Sequence, residues 1–296
     1  RGMGGNSMKN VILSLVSLAV LLALAMAAST SAFAAEASTN WEDGYITVEG
    51  YGVAPANART AGQARAMARR AAQMDAYRNI AEAVQGVNVD GETTVEEAMV
   101  TSDVIRTKVS ALVKGARIVS EHAESDGSYV VTMRAPLYGI GSVADAVFSE
   151  PHQKVDFPAP TTKAGTVIPE VQSVPATSTQ PAPVGQAVGN YTGLIVDCRG
   201  LGLKAVMSPR VKNQYGEVVY GIMNVDPDWV IAHGMAAYTT DRSRAARAGS
   251  NPLVVKAISV EGFQANPVLS VDDANRILVE NAATGFLNKT NVVFLR

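Results

Sequence analysis

Cysteine is almost missing from this chain: 296 residues carry one, Cys198. A single thiol excludes an internal disulfide framework, so stability must come from apolar cores and strand pairing. Cys198 follows Leu194-Ile195-Val196 in an expected strand, where a lone thiol reads as a small buried hydrophobe and not as a nucleophile. Histidine is nearly as sparse. His122, His152 and His233 show no H-x-x-x-H or H-E-x-x-H spacing, so no zinc or other metal site is expected. No G-x-S-x-G elbow frames a serine. Neither sign of charge dominates, with 25 Lys and Arg against 27 Asp and Glu. That balance gives no electrostatic reason to expect nucleic acid or an anionic membrane surface as a partner.

Long apolar runs are also absent, with one exception. Met8-Lys9-Asn10 precedes a nearly continuous apolar stretch from Val11 to Ala28, and Ala32-Phe33-Ala34 follows. A basic start, an apolar run and an A-x-A site form a secretory signal, so residues 1–34 read as a signal peptide with 1–7 as an upstream extension. A retained anchor is the rival reading, because the run approaches the ~20 residues that span a bilayer; the A-x-A site favours cleavage near Ala34. No cysteine follows the run, so no lipid anchor is expected. Removing residues 1–34 takes Arg1 and Lys9 and no acid, which moves the net charge from −2 to −4. The exported chain is expected in the periplasm or associated with the outer membrane.

What is present is organised around Gly44 to Val84. Ile46, Val48 and Gly50-Tyr51-Gly52-Val53 alternate as a half-buried strand does. Asn57 is the expected cap of the helix that follows. Met67, Ala71, Met74, Tyr77, Ala81 and Val84 recur at steps of three and four, which builds one apolar stripe. Its alanines would let the helix backbone lie close to a sheet.

Beyond Gly86, Thr94 and Glu97 match a capping box, and a helix broken near Thr101-Ser102 runs to Lys114. Asp126-Gly127 between two β-rich runs signals a hairpin, closed by Pro136. Residues 35–149 therefore read as one α+β domain. Seven of the 13 prolines fall between Pro151 and Gly189, so residues 150–189 read as a semi-extended Pro/Ser/Thr-rich linker. Residues 190–296 again mix strands and helices: Thr192 to Cys198, a hairpin around Gln214-Tyr215-Gly216, a helix opened by Asp226-Pro227-Asp228, a β run from Leu253 to Val260, a helix from Val271 to Ala283 and a terminal strand. The expected fold class is α+β, two small domains of helices on mostly antiparallel sheets joined by the linker.

The chemistry-bearing patterns are thin. Gly200-Leu201-Gly202-Leu203-Lys204-Ala205 matches G-x-G-x-x-A, but Pro209 arrives too soon for the helix a dinucleotide site requires. Glu96-Glu97 and Asp272-Asp273 sit at helix starts, where dipole and capping account for them. Arg69-Arg70 reads as a solvated helix flank. No catalytic constellation survives, and no enzyme activity or cofactor is expected. Trp41, Tyr45, Tyr51, Trp229 and Tyr238 are the candidate binding residues, as stacking platforms for a sugar.

Ile46-Thr47-Val48-Glu49-Gly50-Tyr51-Gly52, the helix Ala71-Ala72-Gln73-Met74-Asp75-Ala76-Tyr77-Arg78-Asn79-Ile80-Ala81, and Val87-x-Val89-x-Gly91-x-Thr93 carry a resemblance. So do Ser102-Asp103-Val104-Ile105 and the Asp126-Gly127 hairpin. Residues 45–138 resemble the Lpp-twenty family of outer-membrane-associated lipoproteins and the N-terminal domain of flagellar assembly protein T. The resemblance implies a non-enzymatic envelope role, around the flagellar motor or outer membrane, with envelope or flagellar proteins as partners. Exposed edge strands and apolar surfaces of both domains are expected to pair with neighbouring copies or with partner proteins, a ring-like homo-oligomer being one such arrangement. The alternative is a periplasmic binding module for peptidoglycan or another envelope polysaccharide.

Overall fold

Two glycines set the first layer. A computed structural model describes residues 37–150, 152–161, 186–187 and 189–296; the expected signal peptide and residues 162–185 of the expected linker lie outside them. Strand β2 (Tyr45–Gly52) turns Ile46, Val48, Gly50 and Gly52 to the core and Tyr45, Thr47, Glu49 and Tyr51 outward. Helix α1 (Ala61–Gln85) lies across the inner face. A methyl group added at Gly52 would stand 2.0 Å from the Ala68 carbonyl oxygen, and one at Gly50 would stand 2.2 Å from the Ala76 nitrogen. So close an approach admits only small residues on the helix side. The buried stripe is accordingly Ala68, Ala72, Ala76, Ile80 and Val84.

This corrects the expected stripe: Met67 and Met74 are exposed, because their side chains are too long for that gap. The cap is corrected as well. Thr60, not Asn57, accepts the Gln63 N–H at 3.1 Å. Arg69 is not an idle flank residue, since its guanidinium holds the Glu121 carboxylate with two hydrogen bonds at 2.8 and 2.9 Å.

The remaining elements of this region follow their local signals. Helix α2 (Val95–Thr101) opens on the Thr94–Glu97 capping box. Ser102 closes it and caps α3 (Asp103–Lys114), which accounts for the break. Gly127, at φ +85°, turns β3 (Arg117–Ala123) into β4 (Tyr129–Pro136). With β1 (Ser38–Asn40) these strands form an antiparallel sheet in the order β1-β2-β4-β3. A short helix, α4 (Val143–Val147), follows, capped by Ser142.

The C-terminal region is α+β as expected, but its central sheet is parallel. Strands β8 (Ala237–Thr239), β12 (Val292–Leu295), β5 (Gly193–Asp197) and β9 (Pro252–Lys256) lie in that order, every neighbouring pair parallel. Burial on both faces suits this: β12 is buried along its length. A second, mixed sheet runs β10 (Ser259–Glu261), β11 (Asn266–Leu269), β6 (Val211–Asn213), β7 (Val218–Tyr220). Helix α5 (Pro227–His233) starts on Asp226 with Pro227 in its first turn. Helix α6 (Val271–Thr284) starts on Ser270 and buries Ala274, Ile277, Leu278 and Asn281.

The two regions are not held apart by a spacer. The described residues from 37 to 296 form one compact unit, and one apolar cluster runs from Ile46 to Phe294 across both regions, with a smaller one around Ile195 and Val293. Met207 and Ser208 donate backbone N–H groups to the carbonyls of Asn88 and Val89, and Gly139 donates to Ile231. The ring of Tyr138 fills the space beside Gly234, where an added methyl would lie 2.4 Å from its Cε1. The described start of the expected linker is docked as well. Phe157 stacks on Tyr220 at 6.5 Å, Val155 donates to the Met223 carbonyl, and Thr161 exchanges hydrogen bonds with the Asn275 side chain.

Candidate functional site

The β3–β4 hairpin contains one irregularity, and it shapes a cleft. From Ala123 back to Ser120, β3 pairs with Tyr129 through Thr132 in regular register, but the next pairs are Ile118 with Met133 and Arg117 with Arg134. Val119 is the extra residue of a β-bulge. An unbroken register would set Arg117 against Ala135, whose side chain is buried in the core. A one-residue slip exchanges the faces of a strand. The bulge thus brings Arg117 onto the outer face, directly beside Arg134.

Those two arginines enter a cleft of about 580 Å³ between β2, β4, the start of β3, and helices α3 and α4. Lys108 of α3 and Asp145 of α4 line it too, and they pair at 2.9 Å. Burial raises the Asp145 pKa, but the Gly141 N–H and the Lys108 ammonium outweigh that and hold the carboxyl below its ordinary range. Arg134 donates its Nε–H to Thr47 Oγ1 at 3.1 Å, and its guanidinium lies 5.8 Å over the Tyr45 ring. Arg117 has no hydrogen-bond or ion-pair partner among the described residues. The apolar walls include Val119 and Pro136, and Ile140 stands at the rim with 98% of its surface exposed. Gly139 and Gly141, at φ +96° and +72°, hold Ile140 on a tight loop.

The five sequence-predicted aromatics do not converge. Tyr45 lies in the cleft. Tyr51 lies on the same outer face six residues along β2, about 20 Å away at strand spacing, and its hydroxyl donates to Glu49 at 2.9 Å. Trp229 is exposed on α5 and stacks on His233 at 4.0 Å. Trp41 packs edge-on against Tyr238 at 5.6 Å. Tyr238 is corrected outright: it is 2% exposed, its hydroxyl is bonded to the Val206 backbone, and it offers no face to a sugar.

Other expectations concern residues that turn out to be structural. Cys198 is buried, and burial lifts its thiol to about 12. Gly200 and Gly202 take φ of +79° and +71° in a turn with no helix after it. His122 meets Glu124, His152 meets the carbonyls of Ile222 and Val225, and His233 meets Trp229, so the three lie in separate places. Among the described residues no group of three or more His, Cys, Asp or Glu could hold a metal ion, and no helix is long and apolar enough to cross a membrane. Arg117, Arg134 and Lys108 were missed by sequence reasoning. The hairpin turn was readable, but the bulge that aligns the arginines has no sequence signature of its own.

Residues 40–133 match the family model of the LPP20 lipoprotein, and residues 193–296 match that of the second domain of Treponema pallidum Tp0624. No curated protein matches the chain. The first match covers β2, β3, most of β4 and α1 to α3, and the second covers the parallel sheet and its neighbours.

Proposed function

We propose, from the match of residues 40–133 to the LPP20 lipoprotein, that this chain is a non-enzymatic structural or assembly component of the cell envelope. It works at the outer membrane or the flagellum, and it acts by contact with other copies of itself. The observation that carries this reading is strand β3. It is one edge of its sheet, seven residues long, and every residue from Arg117 to Ala123 is exposed. A long edge with Ile118 and Val119 in solvent offers backbone donors and acceptors to another strand. The tested occupant is β3 of a second copy.

Light scattering of the purified protein at rising concentration tests it. Association beyond the monomer is expected, and Val119→Lys, which sets a charge on the edge, is expected to suppress it. A strict monomer at high concentration, or association untouched by Val119→Lys, counts against this reading.

A further inference from the structure

The cleft beside β3 has a composition that edge pairing does not use. Two guanidinium groups directly opposite each other on neighbouring strands repel, and the isolated arrangement is destabilising. The bulge at Val119 creates that opposition; the regular register would have avoided it. Lys108 is already balanced by Asp145, so it does not offset the pair. Arg134 is fixed by Thr47 and Tyr45 through one edge and one face of its guanidinium, and its two terminal nitrogens make no hydrogen bond among the described residues. Arg117 contributes a second, unengaged fork next to it. Planar forks of this kind recognise carboxylate and phosphate oxygens in pairs.

Apart from the Lys108–Asp145 pair and Ser142, the rest of the cleft is largely apolar. Val119 is 49% exposed, Pro136 and Ala111 line the wall, and Ile140 stands exposed at the mouth. A volume near 580 Å³ falls in the range that encloses a small molecule. We infer that this cleft binds a small amphiphile whose single oxyanion head, phosphate or carboxylate, sits between Arg117 and Arg134 while its apolar body lies along Val119, Pro136 and Ile140. The head may be neither free of the body nor replaced by a neutral group: charge and apolar surface act together. The site shares Arg117 and Val119 with the edge strand β3, but Arg134 and Pro136 lie on the inner strand β4 and Ile140 beyond it, so binding and edge pairing are read by different variants.

Calorimetric titration of the purified protein with octyl phosphate, octanoate, inorganic phosphate and neutral octyl glucoside tests the inference. Octyl phosphate or octanoate is expected to bind saturably, which of the two is tighter identifying the head. Inorganic phosphate is expected to bind at least about tenfold more weakly, and octyl glucoside not to bind. Arg117→Gln and Arg134→Gln each remove charged hydrogen bonds and are expected to weaken the anionic amphiphile by about tenfold or more. Both substitutions are at exposed positions, and an unchanged thermal midpoint certifies the fold. Ile140→Ser should weaken octyl phosphate and leave inorganic phosphate unchanged. The inference is overturned if neither amphiphile binds, if the Arg117→Gln/Arg134→Gln double variant binds them as the parent does, if octyl glucoside binds equally well, or if inorganic phosphate binds as tightly as octyl phosphate.

Discussion

Single side chains here are fixed by their immediate surroundings, and several give direct tests. Cys198 lies at the end of β5 with its thiol lifted to about 12 by burial and, secondarily, by Asp197. The thiolate that reacts is therefore scarce at neutral pH. An aromatic disulfide reagent is expected to leave the folded protein unlabelled and to titrate one thiol after denaturation; rapid labelling of the native state would contradict the buried placement. Asp145 supplies a pH dependence. Its folded pKa is depressed, so its contribution to stability is present above its unfolded value, ~4, and is lost as pH falls through the lower folded value. Lys108→Gln removes one of the groups responsible. A carboxyl NMR titration should then show the Asp145 midpoint rising, with less stability lost on acidification.

At the scale of elements, most local signals are legible in the sequence, the cap at Thr60 excepted, and contact geometry is not. Caps such as Thr94 with Glu97, Asp226 before Pro227, and the Asp126-Gly127 turn act within a few residues, so the sequence displays them directly. The buried face of α1 could not be read the same way. Met67 and Met74 are more apolar than alanine, yet the alanines face the sheet because Gly50 and Gly52 leave room for nothing larger. The partner strand decides which stripe is buried. Gly52→Ala should therefore push α1 off β2, with a cost of about 3 kcal/mol or more, visible as a large fall in thermal midpoint. An unchanged midpoint would show that the helix can shift freely. The parallel sheet was also missed, although Leu194-Ile195-Val196 and Val292-Val293-Phe294-Leu295 are unbroken apolar runs, which suit a strand covered on both faces. The candidate cleft was legible only at Tyr45. Its cations depend on the bulge at Val119, a feature of pairing between strands and not of either strand alone.

For the molecule as a whole, the two α+β regions that the proline-rich stretch separates in sequence are joined by long-range contacts. Asn88, Val89, Tyr138 and Gly139 in the first region meet Met207, Ser208, Gly234 and Ile231 in the second. Arg247 ties the latter side together, its guanidinium donating to the carbonyls of His233, Gly234 and Thr290. Nothing in local composition announces such pairings, because they join residues far apart in sequence. The two regions should melt in one calorimetric transition. Gly234→Ala, at φ +74° and against the Tyr138 ring, should lower its midpoint or split it in two. Two well-separated transitions in the parent protein would mean that the shared core is not cooperative. Because the seam between the halves is built from backbone pairing and buried rings, covalent continuity is not what keeps them in company: a chain severed by an engineered protease site near residue 170 would travel as one particle.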